Sequence, residues 1–375
     1  MGKQIWKYNT LDTFCIEVFE KFGFSGGEAR IITDVLLKSD LSGIESHGMQ
    51  RMVRYHKGIE KGLINVHARP ETVFDTPVSA VIDGHDGMGQ LIGLHAMELA
   101  IEKAEKSGIG IVSVRNSNHY GIAGYYAKLA SNKGLIGFSC TNSEAIMVPT
   151  FSRIAMLGSN PIAIAVPAKP HDFLFDASTT VVTRGKLEVY NKMDKPLPPG
   201  WALDQNGEPS SDAPLVLKNI IAKNGGGIMP LGGSEELLGS HKGYGFGMIS
   251  ELFSSILSMG MTSNKCMQGA KSGICHGFAA INPNIFGDVE VIKDHFSAYL
   301  QELRDAPKAK GQPRIYIHGE KEEEAMKDRL ENGIPVDENT MTELWDICEY
   351  LKLNFAKYFG DYSPHVNGAV FKGNY

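Results

Sequence analysis

A histidine stands at the centre of the polar cluster RNSNHYG, which directly follows the apolar run GIGIVSV. His119 therefore lies where a predicted strand ends and a predicted helix begins. An imidazole in this position can act as a general base near neutral pH, oriented by Asn116 or Asn118. Asn and Ser are also common in surface turns, so the pattern alone allows a catalytic or a structural role.

A second polar cluster, SHGMQRMVRY, places three side chains at helical spacing. His47, Arg51 and Tyr55 occur at i, i+4 and i+8, which predicts one face of a helix that ends at Gly62. Arg can bind a carboxylate through two hydrogen bonds, while His can move a proton and Tyr can donate a hydrogen bond. The segment fits a site for a small carboxylic acid, although a solvated polar helix face has the same spacing.

Two glycine-containing segments are candidates for binding a phosphate or another anion. Residues 83–93, DGHDGMGQLIG, carry the pattern GxGxxxG between a predicted strand and a predicted helix, close to the Rossmann fingerprint. The spacing is one residue too long and carboxylates flank it, so a glycine-rich turn is the favoured interpretation. Residues 241–247, HKGYGFG, place Lys242 at the start of a long predicted helix, where backbone N–H groups favour anions.

Periodicity predicts the elements that must hold these residues. Helical spacing predicts helices near both ends of the chain, and in the middle apolar runs alternate with helical stretches. This alternation favours an α/β layer with partly parallel strands. Residues 191–240 are rich in Pro and Gly and are interpreted as ordered loops around a cleft. We expect a helical domain from residues 1–70 plus 287–375 and an α/β domain from residues 71–286.

The composition is typical of a soluble globular protein, with 42% hydrophobic and 21% charged residues among 375. A formal net charge of -6 and a pI near 6.1 argue against nucleic acid or an anionic membrane as the main partner. The sequence shows no apolar run of signal-peptide or membrane-spanning length. Its 5 cysteines are scattered without the spacing of a zinc site, which predicts free thiols in a reducing cytoplasm and no metal centre.

Taken together, these segments resemble those of a known family. The chain carries, in the family's order, SDLSGIESHGMQRMVRY, NSNHYGIAGYYA, FSCTNSEAIMVP, LGSNPIAIAVPA, FDASTTVVTRGK, PLGG, HKGYGFGMISELFSSILSMG and HGEKE. From about residue 10 to about residue 360 it resembles the malate/L-lactate dehydrogenases that are unrelated to the Rossmann-type enzymes of the same names. Relatives in that family act on sulfolactate, ureidoglycolate, 2,3-diketogulonate and cyclic imino acids.

The resemblance implies a fold, a cofactor and an assembly. The fold would be α/β, with a non-Rossmann mixed-sheet nucleotide-binding domain and a helical domain formed by the N- and C-terminal segments. The protein would be an NAD(P)-dependent oxidoreductase, with NAD as the expected cofactor and NADP as the alternative. It would form a homodimer whose active site lies in a cleft close to the subunit interface. The glycine loop at residues 83–93 would then be a structural turn.

The resemblance also assigns site residues at matching positions. His47 and His119 would line the substrate site, and each is a candidate for the proton-transfer group, with His119 slightly favoured by its place at a strand end. Ser46, Arg51 and Tyr55 match the residues that bind substrate. The positions that match cofactor contacts are Ser143, Asn160, Asp176, Ala177, Ser178, Thr179, Lys242, Gly243, Gly319 and Glu320.

Two segments depart from the family pattern. The TNS segment usually continues into a proline and paired glycines, whereas here Pro149 is followed by Thr150, Phe151 and Ser152. The common GTNP reads GSNP at residues 158–161. Both changes fall where the resemblance places the nicotinamide end of the cofactor.

The predicted reaction is reversible hydride transfer between C2 of a 2-hydroxy acid and C4 of a nicotinamide, with malate as the first substrate and lactate as the second. Arg51 would anchor the C1 carboxylate, one of His47 and His119 would take the hydroxyl proton, and the other would hydrogen-bond the same oxygen. The sequence does not locate a second cationic group for the C4 carboxylate of malate. The alternatives are an oxidoreductase of sulfolactate, ureidoglycolate or diketogulonate and a reductase of cyclic imino acids.

Two other functional classes remain open at this stage. A metal-dependent hydrolase could use both histidines with Asp83 and Asp86, although no ligand spacing supports it. A nucleotide-binding protein without catalysis is the other alternative, and the presence of both histidines together with Arg51 argues against it.

Overall fold

The computed structural model describes residues 2–269 and 271–364. The helices in the described chain are α1 (Tyr8–Lys21), α2 (Gly26–Leu41), α3 (Met52–Glu60), α4 (Gly89–Ser107), α5 (Ala123–Ser131), α6 (Arg184–Lys192), α7 (Ala213–Ala222), α8 (Ser240–Glu251), α9 (Val289–Asp305), α10 (Glu320–Asn332), α11 (Glu338–Leu351) and α12 (Ala356–Phe359). The strands are β1 (Lys3–Trp6), β2 (Glu71–Asp75), β3 (Ser79–Asp83), β4 (Ile109–Ser117), β5 (Ile136–Thr141), β6 (Ile162–Val166), β7 (Phe173–Ala177), β8 (Ala202–Leu203), β9 (Gly227–Ile228), β10 (Ile274–Ile281) and β11 (Ile334–Asp337).

The centre of the molecule is a mixed sheet of seven strands in the order β2-β3-β4-β10-β5-β6-β7. Within this sheet β3 and β4 run parallel, and the other neighbouring pairs run antiparallel. A Rossmann sheet, by contrast, is mostly parallel. The predicted α/β class and the mixed sheet are thus confirmed. The predicted partly parallel pairing is limited to one pair of strands.

Helices α4 and α5 cover the sheet through small, buried side chains. Their apolar faces, rich in alanine, form one core with residues of β3, β4, β6 and β10. Because β4 ends at Ser117 and α5 begins at Ala123, the segment between them leads from the end of an inner strand into a helix that covers the sheet. His119 lies in this segment, so its predicted place between a strand and a helix is confirmed.

The two ends of the chain pack together. One hydrophobic core contains Phe14 of α1, Leu36 of α2, Tyr55 of α3, Leu344 of α11 and Phe359 of α12. Strand β1 also pairs antiparallel with β11, which ties the two ends through backbone hydrogen bonds. Each of these strands has only 4 residues, too few for periodicity to predict. The limits of the two domains stay a prediction.

The interpretation of residues 191–240 as loops was wrong in part, because α7 lies within them. Asp212 caps this helix by accepting a hydrogen bond from the Leu215 N–H, and Pro214 occupies its first turn. Pro in the first turn is compatible with a helix because its missing N–H has no partner there. Val216 and Ile220 are buried against neighbouring residues of this region.

Two further findings concern the cysteines and the apolar character of the helices. Each of the five cysteines is a free thiol and is buried. Across the described part of the chain, no helix combines the length and the apolar character that a membrane crossing requires.

Candidate active site

The SHG segment is not the continuous helix that its spacing predicts. The chain forms two short 3₁₀ turns, Glu45–His47 and Met49–Arg51, and the α-helix begins only at Met52. The cause lies nine residues upstream, where the Asp40 carboxylate accepts a 2.8 Å hydrogen bond from the Met49 N–H. Gly48 lies directly against this carboxylate, and a Cβ at that position would overlap it. The helix predicted from about residue 46 was therefore wrong before Met52.

Asp40 is a buried anchor that sequence analysis missed. Burial raises the pKa of this carboxyl group to about 7, although the hydrogen bond from the Met49 N–H acts to lower it. Arg329 of α10 donates a hydrogen bond to the Asp40 carbonyl oxygen and forms an ion pair with Glu45 at 2.8 Å. The turn that carries His47 is thus held from α2 and from the C-terminal part of the chain, which no local pattern reveals.

The turn and the SNH segment bring two imidazoles together. The rings of His47 and His119 stack with centroids 5.4 Å apart. The Tyr55 hydroxyl lies 2.8 Å from Nδ1 of His119, and the Ser46 hydroxyl lies 2.9 Å from Nδ1 of His47. Since Nδ1 of each ring is engaged, Nε2 is the nitrogen that can serve a substrate. Four predicted site residues therefore form one cluster.

Both histidines are neutral at neutral pH. Burial, assisted by Arg51 and Arg54, lowers the pKa of His47 to about 3. Burial is the main reason why the pKa of His119 lies well below its ordinary value, and the positive charge of Arg54 is the second reason. A neutral imidazole in a cleft can accept a proton, as a general base requires. Burial also raises the pKa of Tyr55 to about 12, so this hydroxyl keeps its proton.

Two arginines act on this cluster from one helical stretch. Nε of Arg51 donates a 2.6 Å hydrogen bond to the Ser46 carbonyl oxygen, which keeps Arg51 against the turn. Arg54 lies three residues further along and influences both histidines electrostatically. Arg54 was not among the predicted site residues, although its position at i+3 from Arg51 places the two residues on neighbouring turns of one helix face.

One set of predicted cofactor residues borders a cavity of about 580 Å³. Asp176, at the end of β7, accepts a 2.7 Å hydrogen bond from the Gly124 N–H at the start of α5. Burial raises the pKa of Asp176 to about 6. Gly319, immediately before α10, also lines the cavity, while Ala177 ends β7 beside Asp176. The cavity reaches Ile122, three residues beyond the histidine of the SNH segment.

A second set of predicted cofactor residues lies around the start of β6. The Ser143 hydroxyl accepts a hydrogen bond from the Ser159 N–H at 3.2 Å, and the Thr179 hydroxyl donates to the Ser159 carbonyl at 3.0 Å. Asn160 donates a 2.9 Å hydrogen bond to Glu251, a buried carboxylate that sequence analysis missed. These contacts tie the loops around the start of β6 to one another.

The remaining predicted cofactor residues are held in three further places. The Ser178 hydroxyl donates to the Thr180 carbonyl at 3.2 Å. Lys242 and Gly243 lie in the first turn of α8, where Gly243 packs against the backbone of a neighbouring loop. The Glu320 carboxylate forms ion pairs with two arginines of the chain, which gives it a structural partner already. Their assignment to the cofactor stays a prediction.

The acidic pair considered for a metal site has other partners. Asp83 accepts hydrogen bonds from Arg115 at 2.9 Å and from Asn116 at 2.9 Å. Among the residues that the structure describes, no group of three or more His, Cys, Asp or Glu side chains is arranged to hold a metal ion.

A family model described as malate/L-lactate dehydrogenase matches residues 6–345. The chain belongs to this family. The family predicted from the sequence is confirmed, and with it the class of NAD(P)-dependent 2-hydroxy-acid oxidoreductases. A nicotinamide cofactor follows from the same membership.

Individual relatives are similar over nearly the whole chain. Malate dehydrogenase of Pyrococcus abyssi is 45% identical over 340 residues, which cover 90% of this chain and 92% of that protein. L-sulfolactate dehydrogenase of Methanocaldococcus jannaschii is 38% identical over 350 residues, which cover 92% of this chain and 96% of that protein. The solved structure of malate dehydrogenase from Entamoeba histolytica superposes with a TM-score of 0.89 at 35% identity, covering 94% of this chain and 99% of that one.

Proposed function

We propose that this protein catalyses the reversible oxidation of malate to oxaloacetate. The observation that carries the proposal is the cluster of two neutral, stacked imidazoles beside a tyrosine and two arginines. The relatives named malate dehydrogenase support malate as the substrate. The relatives named L-sulfolactate dehydrogenase make sulfolactate the second candidate.

Each site residue has a role in the proposed reaction that follows from its position. Nε2 of His119 takes the hydroxyl proton of malate, giving an imidazolium whose Nδ1–H is hydrogen-bonded to Tyr55. His47 donates a hydrogen bond to the same substrate oxygen. Arg51 binds the C1 carboxylate, and Arg54 supplies the positive charge for the C4 carboxylate. When bound, the nicotinamide supplies the acceptor for the hydride that leaves C2.

We place the dinucleotide in the cavity that Asp176 and Gly319 border and that reaches Ile122 near the SNH segment. Its lining includes three ammonium side chains, which suit a pyrophosphate, and five carboxylates, which suit ribose hydroxyls. Of the described residues that line it, none is an arginine, the residue that usually binds the 2′-phosphate of NADP. We therefore favour NAD over NADP, held without a Rossmann fold. Lys321 and Asp34 are the lining residues proposed to meet the phosphate and a ribose.

The protein is also proposed to be a homodimer located in the cytoplasm. Apolar side chains remain exposed along α8 and the π-helical turn Leu252–Ile256 that follows it, and grouped exposed apolar side chains often mark a protein–protein interface. Free, buried thiols suit a reducing compartment. The exposed side chains on the α8 face are Phe246, Met248, Ile249, Leu252, Ile256 and Leu257.

The proposal is tested by following the oxidation of NADH and of NADPH with oxaloacetate, pyruvate, sulfopyruvate and diketogulonate. We expect oxaloacetate to be reduced with NADH, and His119→Ala to lower kcat/KM by about 10²–10⁴-fold, the usual contribution of general acid–base catalysis. His95→Ala, which changes an exposed histidine of α4, is the matched control and should be unaffected.

Three other outcomes would contradict the proposed substrate, catalytic base or cofactor. Preference for sulfopyruvate or pyruvate over oxaloacetate would contradict malate as the substrate. Activity that survives His119→Ala but is lost in His47→Ala would move the base to the SHG turn. A preference for NADPH would contradict the assignment of NAD.

A further inference from the structure

The glycine loop over residues 83–93 carries a buried amide that the proposed reaction does not use. Gln90, the second residue of α4, is 0% exposed. Neither Nε2 nor Oε1 of its side chain has a full hydrogen bond in the structure. Buried amides almost always find a partner, because leaving one without hydrogen bonds is costly. The absence of hydrogen bonds at this buried amide therefore needs a physical explanation.

The loop places Gln90 between the two halves of the site. Met88 belongs to the same hydrophobic core as Tyr55, and Leu91 packs against that core. Gly89 lies so close to the carbonyl oxygens of Asn118 and His119 that a Cβ would overlap them. The glycine is thus required for a close approach of α4 to the SNH segment. As a result the Gln90 amide lies near the Tyr55 hydroxyl, where a hydrogen bond from the amide acts to lower the pKa of that hydroxyl against the larger effect of burial.

The position of the single proton on the neutral His119 ring determines which hydrogen bond the Gln90 amide can make. For Nε2 of His119 to take a proton, the single ring proton must lie on Nδ1. Nδ1–H then donates to the Tyr55 oxygen, which is 2.8 Å away. The Tyr55 hydroxyl proton consequently needs another acceptor. Oε1 of Gln90 is a buried acceptor without another partner, and a half-turn of the amide brings this oxygen, in place of the nitrogen, toward Tyr55.

We propose that Gln90 is a positioning residue that fixes the tautomer of His119 through Tyr55. Nδ1–H of His119 donates to Oη of Tyr55, and Oη–H of Tyr55 donates to Oε1 of Gln90. Without that acceptor, the Tyr55 hydroxyl donates to Nδ1, and the ring proton moves to Nε2. A ring in that state can donate a hydrogen bond at Nε2 but cannot accept the substrate proton there. This inference rests on the proposed function only for the role of His119 as base.

The test is ¹⁵N NMR of histidine-labelled protein without substrate, because the nitrogen shifts report which ring nitrogen carries the proton. We expect the Nδ1–H tautomer for His119 in the wild type and the Nε2–H tautomer in Gln90→Met, which keeps the side-chain volume but removes both polar atoms. His119→Gln assigns the signal. Gln301→Met, an exposed position on α9, is the matched control and should leave the spectrum of His119 unchanged.

Kinetics supply the second readout. Gln90→Met should lower kcat/KM for malate by about 10- to 100-fold, as replacing the hydrogen-bond partner that orients a metal-binding histidine typically does, while KM for the cofactor stays constant. Combining it with Tyr55→Phe, which removes the hydroxyl link, should add no further loss. Tyr55→Phe alone should also change the His119 tautomer, which keeps the test available if Gln90→Met does not fold.

The outcomes separate this inference from the proposed function. An Nε2–H tautomer in the wild type, or an unchanged tautomer in folded Gln90→Met, would overturn the role of Gln90. The expected tautomers without turnover of malate would instead leave that role intact and overturn malate as the substrate.

Discussion

At the scale of single residues, burial decides the charge of the two catalytic candidates. The pKa of His47 and that of His119 both lie below the ordinary value near 6.5. The neutral form of each ring therefore persists as the pH falls through 6.5, and so does its capacity to accept a proton. We expect kcat/KM for malate oxidation to stay constant between about pH 7 and pH 6. A pH profile with a midpoint at the ordinary value for histidine would contradict this.

Arg54 is predicted to discriminate between substrates. It lies one turn from Arg51 and influences both histidines, so it can meet the C4 carboxylate that malate has and lactate lacks. Losing a hydrogen bond to a charged group usually costs about 1.5–3 kcal/mol, or roughly 10- to 100-fold. We expect Arg54→Ala to lower kcat/KM for malate by that factor and to change kcat/KM for lactate much less. An equal loss for both substrates would show that Arg54 acts on the histidines alone.

At the scale of elements, the buried carboxyl group of Asp40 holds the turn after α2 in place through its hydrogen bond with the Met49 N–H. The folded pKa of Asp40, about 7, lies above the ordinary value of 3.8. Between these values the folded state holds a proton that the unfolded state has released, so the contribution of Asp40 to stability falls as the pH rises from 4 to 7. Asp40→Asn keeps an acceptor for the Met49 N–H without the charge.

We expect the free energy of unfolding of the wild type to fall from pH 5 to pH 8 because Asp40 loses its proton. In Asp40→Asn this fall should be smaller. Urea unfolding at both pH values measures this, and the comparison between pH values cancels the titration of the buried histidines. A wild type and a variant with the same dependence on pH would show that Asp40 is ionised in the folded protein throughout. The activity of the variant reports whether His47 has kept its place.

The contact between α4 and the SNH segment gives a second prediction at this scale. A methyl group at Gly89 would overlap the carbonyl oxygens of Asn118 and His119, so Gly89→Ala should destabilise the protein by more than about 1 kcal/mol and lower kcat. Gly27→Ala in α2 is the matched control, because no atom lies within 4 Å of the added methyl group. Gly to Ala in an unobstructed helix is stabilising by about 0.4–1 kcal/mol. Equal melting temperatures for both variants would contradict the prediction.

At the scale of the whole molecule, sequence predicts the parts that depend on local pattern. The alternation of apolar runs and helical stretches predicted the strands and helices around the sheet, and the histidine at the end of β4 was located correctly. The break at Gly48 could not be predicted, because its cause is the carboxylate of Asp40 in another element. The pairing of β1 with β11 joins residues more than 300 positions apart. The role of Gln90 likewise depends on a contact with α3 that no spacing reveals.

The apolar face of α8 gives a prediction about assembly. We expect the wild type to have twice the 40.9 kDa mass of one chain in light scattering, and the double variant Ile249→Glu with Leu252→Glu to be a monomer, because charges on both copies of a symmetric interface repel. Leu330→Glu, an exposed leucine on α10, is the matched control and should remain a dimer. A monomeric wild type would contradict the proposal.

The buried thiols have a practical consequence. Burial raises the pKa of Cys140 and of Cys275 to about 12, and none of the five thiols is on the surface. Maleimides, which need an accessible thiolate, should therefore leave the folded protein unlabelled. A single new cysteine on the exposed face of α9, such as Glu302→Cys, would then be the one point of attachment. A fluorophore or an electrode linker could be placed there without first removing any native residue.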